Sequence, residues 1–173
     1  MDLDEIIDFA NEVTDEIGKF RVDNIFLSPD KLMSDDFQIA SLEWDSIPYG
    51  DSEIDKVPND RRGIYAFVIF QENKVFPPHG YVLYIGIAGR NSDRPLRQRY
   101  KDYLNSKKVR KRAKIARMIG LWNEVLKFYF APIDNNVSTD DLQILEKQLN
   151  SALLPPCSVG DLDAETKTKR RAF

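Results

Sequence analysis

The sequence predicts an α+β fold in which a small, mainly antiparallel three-stranded sheet is flanked by helices. Three runs rich in β-branched and aromatic residues, 63–70, 81–88 and 126–132, predict the strands. A connection rich in proline and glycine joins the first two runs, which favours a β-hairpin. Stretches with apolar residues at helical spacing follow the hairpin and the third run. With 173 residues, 42% of them hydrophobic, the chain fits one compact domain.

The first 60 residues predict an acidic N-terminal extension packed on the core, and residues 61–173 predict the main domain. Apolar residues at helical spacing over 3–19 predict an amphipathic helix that Gly18 closes. After this helix, prolines divide the extension into short pieces, in which 39–44 is a candidate strand.

Two helices are predicted after the hairpin. Pro95 suits the first turn of a helix over 95–104, whose apolar and aromatic face consists of Leu96, Tyr100 and Tyr103. A second helix is expected to end near Trp122 and to turn Ile115 and Met118 toward the core.

The third strand and a last helix complete the predicted domain. The strand over 126–132 ends at Pro132. Ser138, followed three residues later by Asp141, resembles a capping box at the start of the last helix. Pro155 ends this helix, whose buried stripe consists of Leu142, Leu145 and Leu149.

The composition excludes several classes of protein. No stretch approaches the roughly 18 consecutive apolar residues of a membrane helix. The first residues are acidic, unlike a secretory signal, and the single cysteine, Cys157, cannot form an internal disulfide, so a cytoplasmic location is expected. With one cysteine and one histidine, His79, the chain has no Cys/His zinc site, which leaves any metal to carboxylates.

The charges are unevenly distributed along the chain. Residues 1–60 hold 17 acidic and 4 basic side chains, whereas residues 61–130 hold 4 acidic and 16 basic ones. A basic middle segment predicts a polyanionic partner. The alternative is that the acidic and basic segments neutralise each other within the fold.

Two triplets on successive predicted strands carry a family resemblance. GIY at 63–65 and YIG at 84–86 resemble the defining motif of the GIY-YIG endonucleases. LRQRY at 96–100, with Tyr103 following, resembles the arginine helix of the incision subunit of bacterial nucleotide excision repair. Glu146 lies in a segment similar to the family's closing helix. The resemblance covers about residues 61–158 and implies the nuclease fold of this family.

The resemblance implies a role for each of five residues. Tyr65 acts as the general base on a water, while Tyr84 and Tyr103 orient the water and the phosphate. Arg99 is the catalytic arginine, and Glu146 holds Mg²⁺ or Mn²⁺. This set suits phosphodiester hydrolysis, because an arginine fork stabilises a phosphoryl group and a carboxylate binds a hard cation. An unperturbed tyrosine has a pKa near 10, so a base at Tyr65 requires positive charge nearby.

Three positions differ from the family pattern. An insertion over 89–94 precedes the arginine helix, and Ile87 follows YIG where some relatives have a polar or basic residue. Ser158 stands where many relatives have an asparagine. Arg90 is a candidate for the contact that Ile87 does not make. Residues expected to contact the nucleic-acid backbone are Arg90, Arg94, Arg97, Lys107, Lys108, Arg110, Lys111, Arg112 and Lys114.

The sequence therefore predicts a stand-alone, Mg²⁺-dependent endonuclease that hydrolyses DNA, of a kind found in phage defence, restriction, mobile elements or repair. RNA remains an alternative substrate, and the oligomeric state is not predicted. One alternative function is a catalytically silent nucleic-acid-binding module. The other is a protein-interaction domain that uses the acidic extension.

Overall fold

A computed structural model describes most of the chain. The described residues are 8, 11, 27–39, 41–71, 75–90, 93–158 and 166. The helix predicted over 3–19 therefore lies outside the described residues, except for two positions. No helix among the described residues is long and apolar enough to cross a membrane.

A four-stranded antiparallel sheet with helices on both faces forms the centre of the fold. The strands are β1 (Asp45–Pro48), β2 (Gly63–Gln71), β3 (His79–Ala88) and β4 (Leu126–Pro132). The helices are α1 (Pro29–Leu32), α2 (Leu96–Leu104), α3 (Ser106–Val109), α4 (Ala113–Trp122) and α5 (Thr139–Leu153), with a short 3₁₀ helix at Ile54–Lys56. The spatial order of the strands is β1–β4–β2–β3.

The α+β class and the antiparallel sheet are confirmed, but the prediction of three strands is wrong. The fourth strand, β1, follows the segment 39–44 in which a strand was expected. It has four residues, of which only Ile47 is buried, so it carries no clear alternating pattern. Its last residue, Pro48, lacks an N–H and looks like part of a turn. Because β1 lies at the edge of the sheet, proline is tolerated there.

The alternation of side chains along the strands divides the core between the two faces of the sheet. One face is aromatic and packs against α2 and α4, with Tyr65, Phe67 and Phe128 among its fully buried side chains. The other face is aliphatic and packs against α5 through Leu142 and Leu145. The aromatic face holds four of the five side chains to which the resemblance assigns roles.

One helix was predicted for the basic region after α2, but the structure has two, α3 and α4. Asn105 caps α3, because its Oδ1 accepts a hydrogen bond from the Lys108 N–H at 3.2 Å. A turn at residues 110–112 then separates α3 from α4. Seven lysines and arginines in this region make a continuous helix electrostatically costly. The break moves Arg112 off the helix and into the turn.

The described part of the first 60 residues contributes to both faces of the sheet. Phe37, Ile39 and Leu42 pack against the aliphatic core beside α5. The later part supplies β1 and a loop over α2, where the Gly50 N–H donates to the Tyr100 hydroxyl at 2.9 Å.

Candidate active site

Tyr65, Arg99 and Tyr103 form one hydrogen-bonded cluster on the aromatic face. Tyr65 lies on β2 and is fully buried, and its hydroxyl is 2.7 Å from that of Tyr103 on α2. Arg99 lies one helical turn before Tyr103, and its Nε donates to the Tyr65 hydroxyl at 2.9 Å. The spacing of the helix thus presents both α2 side chains to one tyrosine hydroxyl.

Tyr84 forms the less buried side of this cluster. Its ring centroid lies 6.2 Å from that of Tyr65 and 6.1 Å from that of Tyr103. Tyr84 is partly exposed, whereas Tyr65 and Tyr103 are fully buried. A ligand approaching from solvent would therefore meet Tyr84 before it met the other two tyrosines.

Gly86 gives the hydroxyl of Tyr65 its space. The two residues are paired across β2 and β3. A Cβ added at Gly86 would lie 2.6 Å from the Tyr65 hydroxyl oxygen and 2.8 Å from Cζ. The glycine of the YIG triplet is thus required because any side chain at this position would displace the tyrosine of the GIY triplet.

Burial controls the electrostatics of Tyr65. It raises the pKa of the hydroxyl well above the ordinary value of 10, the neighbouring Tyr103 and Tyr84 raise it further, and the charge of Arg99 lowers it by less. The positive charge that a base role requires is therefore present, but burial outweighs it. Tyr65 is a neutral phenol at pH 7, able to donate and accept a hydrogen bond.

Arg99 remains a cation. Burial lowers its pKa, but the neighbouring Tyr65 and Tyr103 raise it by more, so that the net shift is upward. Its side chain is about 30% exposed, which leaves part of the guanidinium open to a ligand. A fixed, partly open guanidinium is suited to a phosphoryl oxygen.

Asp102 is a residue that the sequence analysis missed. Its carboxylate accepts hydrogen bonds from Arg94 at 2.6 and 2.8 Å and from Lys108 at 2.6 Å, and Arg99 Nη1 lies 3.7 Å away. Burial raises the pKa of Asp102, but hydrogen bonds from Arg94 and Lys108 lower it by more. A signal was available, because Asp102 is the only acidic residue from 94 to 123.

Seven of the nine predicted nucleic-acid contacts separate into two groups. Arg94 and Lys108 bind Asp102, while Arg97 donates to the Val57 carbonyl at 2.7 Å and to Asp55 Oδ1 at 3.0 Å. These three side chains hold α2 to its neighbours. Four others are exposed on and beside α3, and we call them the basic surface: Lys107, Arg110, Lys111 and Lys114.

Arg112 belongs to neither group. Its guanidinium carbon lies 4.3 Å from the centroid of the Tyr103 ring, closer than that of Arg99, which lies 5.7 Å from the same ring. The turn after α3 therefore brings an additional cation to the tyrosine cluster.

Glu146 approaches the sheet from the opposite face. It lies on α5, is 3% exposed, and pairs with Nη2 of Arg90 from the loop after β3. Both groups of residues meet β3, since Tyr65 packs against Gly86 and α5 contacts the same strand. The structure thus brings four of the five implied residues together on one face and places Glu146 on α5, which packs on the other face and contacts β3.

A single carboxylate, that of Glu146, can serve as a protein ligand for Mg²⁺. Among the described residues, no group of three or more acidic, histidine or cysteine side chains could hold a metal ion. Mg²⁺ usually keeps several waters and binds through one or two carboxylates together with substrate phosphates. Glu146 fits such a site, provided that Arg90 releases it.

Ser158 supports the edge of β3. Its hydroxyl accepts from the Ile85 N–H at 2.9 Å and donates to the Ile85 carbonyl at 3.2 Å. Next to it, the Cys157 N–H donates to the Leu83 carbonyl at 2.9 Å. These contacts assign Ser158 a structural role.

Comparisons with family models, with curated proteins and with solved structures found no match to this chain. Functional conclusions therefore depend on the residues and their geometry.

Proposed function

We propose that this chain is a GIY-YIG-type endonuclease that hydrolyses DNA phosphodiester bonds with Mg²⁺ or Mn²⁺. The observation that carries the proposal is the Tyr65 hydroxyl, which bonds to both Tyr103 and Arg99. Both triplets, the arginine of the LRQRY segment and the tyrosine after it were selected from sequence alone. Residues that served only for packing would not be expected to meet at one hydroxyl group.

Arg99 provides the main stabilisation of the phosphoryl group in this mechanism. Its charged guanidinium, fixed by Tyr65, binds a non-bridging oxygen as charge accumulates there in the transition state. Because the Tyr65 hydroxyl holds the side chain in place, little reorganisation is needed when the substrate binds.

Tyr65 moves or holds a proton at its hydroxyl oxygen. Its pKa lies well above 10, so only a small fraction is phenolate at pH 7. A base role then requires a rate that climbs about tenfold per pH unit up to pH 9, since the phenolate fraction grows at that rate below the pKa. A role in fixing Arg99 alone requires a rate that does not depend on the phenolate.

Glu146 would hold the metal through its carboxylate. When bound, the metal neutralises charge on the phosphoryl group and activates water. Arg90 now occupies the carboxylate, so metal binding and the Arg90 pair compete for the same oxygens.

Two observations favour the silent binding module as a second candidate. The Arg90–Glu146 pair and the raised pKa of Tyr65 together describe a site in which the metal ligand is neutralised and the base is protonated. If Arg90 holds Glu146 permanently, the basic surface would bind nucleic acid without cleavage.

Cleavage of supercoiled plasmid and of branched DNA, with Mg²⁺ or Mn²⁺, separates the two candidates. Arg99→Ala and Glu146→Gln should each abolish most of the turnover and leave DNA affinity within a few-fold, because their contacts serve the transition state. Matched controls are Lys101→Ala, an exposed cation on α2, and Asp140→Asn, an exposed acid on α5. Wild-type protein that cleaves no substrate faster than Glu146→Gln would leave the binding module as the function.

A further inference from the structure

Arg112 lies beside the proposed site without belonging to its sequence motif. It occupies the position before α4, with φ −127° and ψ 85°, where the chain leaves the turn at 110–112. This conformation lays its guanidinium against the ring of Tyr103 at 4.3 Å. Arg99, on α2, lies against the same ring. Two cations from different elements therefore border one tyrosine.

The guanidinium of Arg112 has a buried donor without an acceptor. Its Nη2 is inaccessible to solvent and has no hydrogen-bond partner, although the side chain as a whole is partly exposed. Arg94, Arg97 and Arg99, the other arginines around α2, all donate to protein acceptors. A buried charged donor that lacks an acceptor is costly and rare in a folded protein.

The positive charges around Arg112 increase the energetic cost of its unpaired donor. The basic surface lies on both sides of it along the chain, and none of the described acidic groups forms an ion pair with it. Contact with the Tyr103 ring stabilises a cation only in part. Because Nη2 is covered by protein, the guanidinium must rotate against the Tyr103 ring to meet a ligand, and an anionic acceptor from outside the protein would then satisfy both the charge and the unpaired donor.

We propose that Arg112 binds a backbone phosphate of the substrate next to the phosphate that Arg99 contacts. The inference rests on the proposed function, since it assumes that a nucleic-acid strand enters the tyrosine cluster. An arginine can offer two parallel donors to one phosphate, which fixes the strand as well as attracting it. Arg112 is then a substrate-binding residue of the site, distinct from the exposed basic surface.

Binding measurements without metal test the proposal separately from cleavage. The probe is a 16-base-pair DNA duplex in EDTA, so that no turnover occurs. Arg112→Met keeps an apolar stem over Tyr103 and should weaken binding roughly tenfold. Arg112→Lys should recover only part of this loss, because lysine keeps the charge but not the fork. Lys111→Met, an exposed neighbour, is the matched control and should lose about two- to threefold.

The wild-type protein gives a second readout that needs no variant. The Arg112 Nε–Hε NMR resonance, assigned by its loss in Arg112→Lys, should shift when the duplex is added. An unshifted resonance, or equal losses in Arg112→Met and Lys111→Met, would overturn the inference. Cleavage by the wild type decides the proposed function on its own, so the two failures are distinguishable.

Discussion

Most of the site depends on Tyr65, because its hydroxyl bonds to both Tyr103 and Arg99. The raised pKa of this hydroxyl makes the free energy of unfolding depend on pH. The folded pKa lies above the unfolded value near 10, so above that pH the unfolded state binds fewer protons than the folded state. Stability is then fully present below about pH 10 and declines as pH rises further.

We expect the free energy of unfolding, measured with urea, to fall between pH 9 and 11.5 by more in wild type than in Tyr65→Phe. Tyr81→Phe removes an exposed tyrosine and is the control, since it should leave the wild-type slope unchanged. Equal slopes in all three proteins would show that Tyr65 ionises as freely in the folded state as in the unfolded state.

Gly86 offers a second test at the scale of one residue. Gly86→Ala should destabilise the protein by about 1–3 kcal/mol and disrupt the tyrosine cluster, because the new Cβ would lie 2.6 Å from the Tyr65 hydroxyl. Thermal unfolding measures the first effect, and tyrosine side-chain NMR shifts measure the second.

The control for this change is Gly120→Ala on α4. A Cβ there meets nothing within 4 Å, and alanine is favoured over glycine in a helix, so the variant should be neutral or up to ~1 kcal/mol more stable. If both alanines behave alike, the glycine of YIG is not needed for space.

At the scale of elements, Asp102 holds the α2–α3 region together. Asp102→Asn should cost about 1–3 kcal/mol, because Arg94 and Lys108 lose a charged acceptor but remain partly exposed. The pKa of Asp102 is lowered by folding, so its contribution is present at neutral pH and is lost as pH falls below the unfolded value near 4.

Denaturant unfolding at pH 7 and at pH 3 measures this prediction. The difference between wild type and Asp102→Asn should be smaller at pH 3 than at pH 7. Asp60→Asn, an exposed acid in the loop before β2, should change little at either pH. A difference of equal size at both pH values would mean that the carboxylate acts through packing rather than charge.

Elements with a strong local pattern were predicted well. Strand β4 has the predicted bounds, the hairpin strands extend the predicted ones by one or two residues, and the Ser138 hydroxyl accepts from the Asp141 N–H at 3.0 Å, as the cap requires. Strand β1 was missed because its only buried residue is Ile47 and its last is a proline. Its formation depends on pairing with β4, which is distant in sequence.

The candidate site was predicted in part. Tyr65, Arg99 and Tyr103 were identifiable because their motif is local and each supplies distinctive chemistry. Asp102 was missed, because it is one acid in a basic segment and its partners are known only from the fold. Arg112 was expected only as one of nine backbone contacts, because its place beside Tyr103 arises from a break between α3 and α4 that the sequence pattern did not reveal. The Arg90–Glu146 pair joins a loop to a helix 56 residues later, a contact that no local pattern encodes.

For the whole molecule, the distribution of charge predicts how DNA binding responds to salt. Replacing the four residues of the basic surface by alanine should reduce the slope of log affinity against log salt by about 3–4, if each contacts one phosphate. Filter binding or fluorescence anisotropy from 50 to 300 mM salt measures the slope.

The acidic residues provide the comparison. Asp35→Asn with Asp36→Asn should leave the slope unchanged, because the following residues Phe37 and Ile39 pack beside α5, across the sheet from α3. A steeper slope of log affinity against log salt in this double variant would mean that the segment with Asp35 and Asp36 lies near the bound DNA.

The two outer strands of the sheet also determine how copies of this protein can meet. Strand β1 is short and ends in proline, and the outer edge of β3 already bonds to Cys157 and Ser158. Among the described residues, β1 therefore offers few open N–H and C=O groups to another chain, and the backbone groups of Leu83 and Ile85 on β3 are already bonded. Removing Cys157 and Ser158 would open these groups of β3 and make its edge a better template for aggregation.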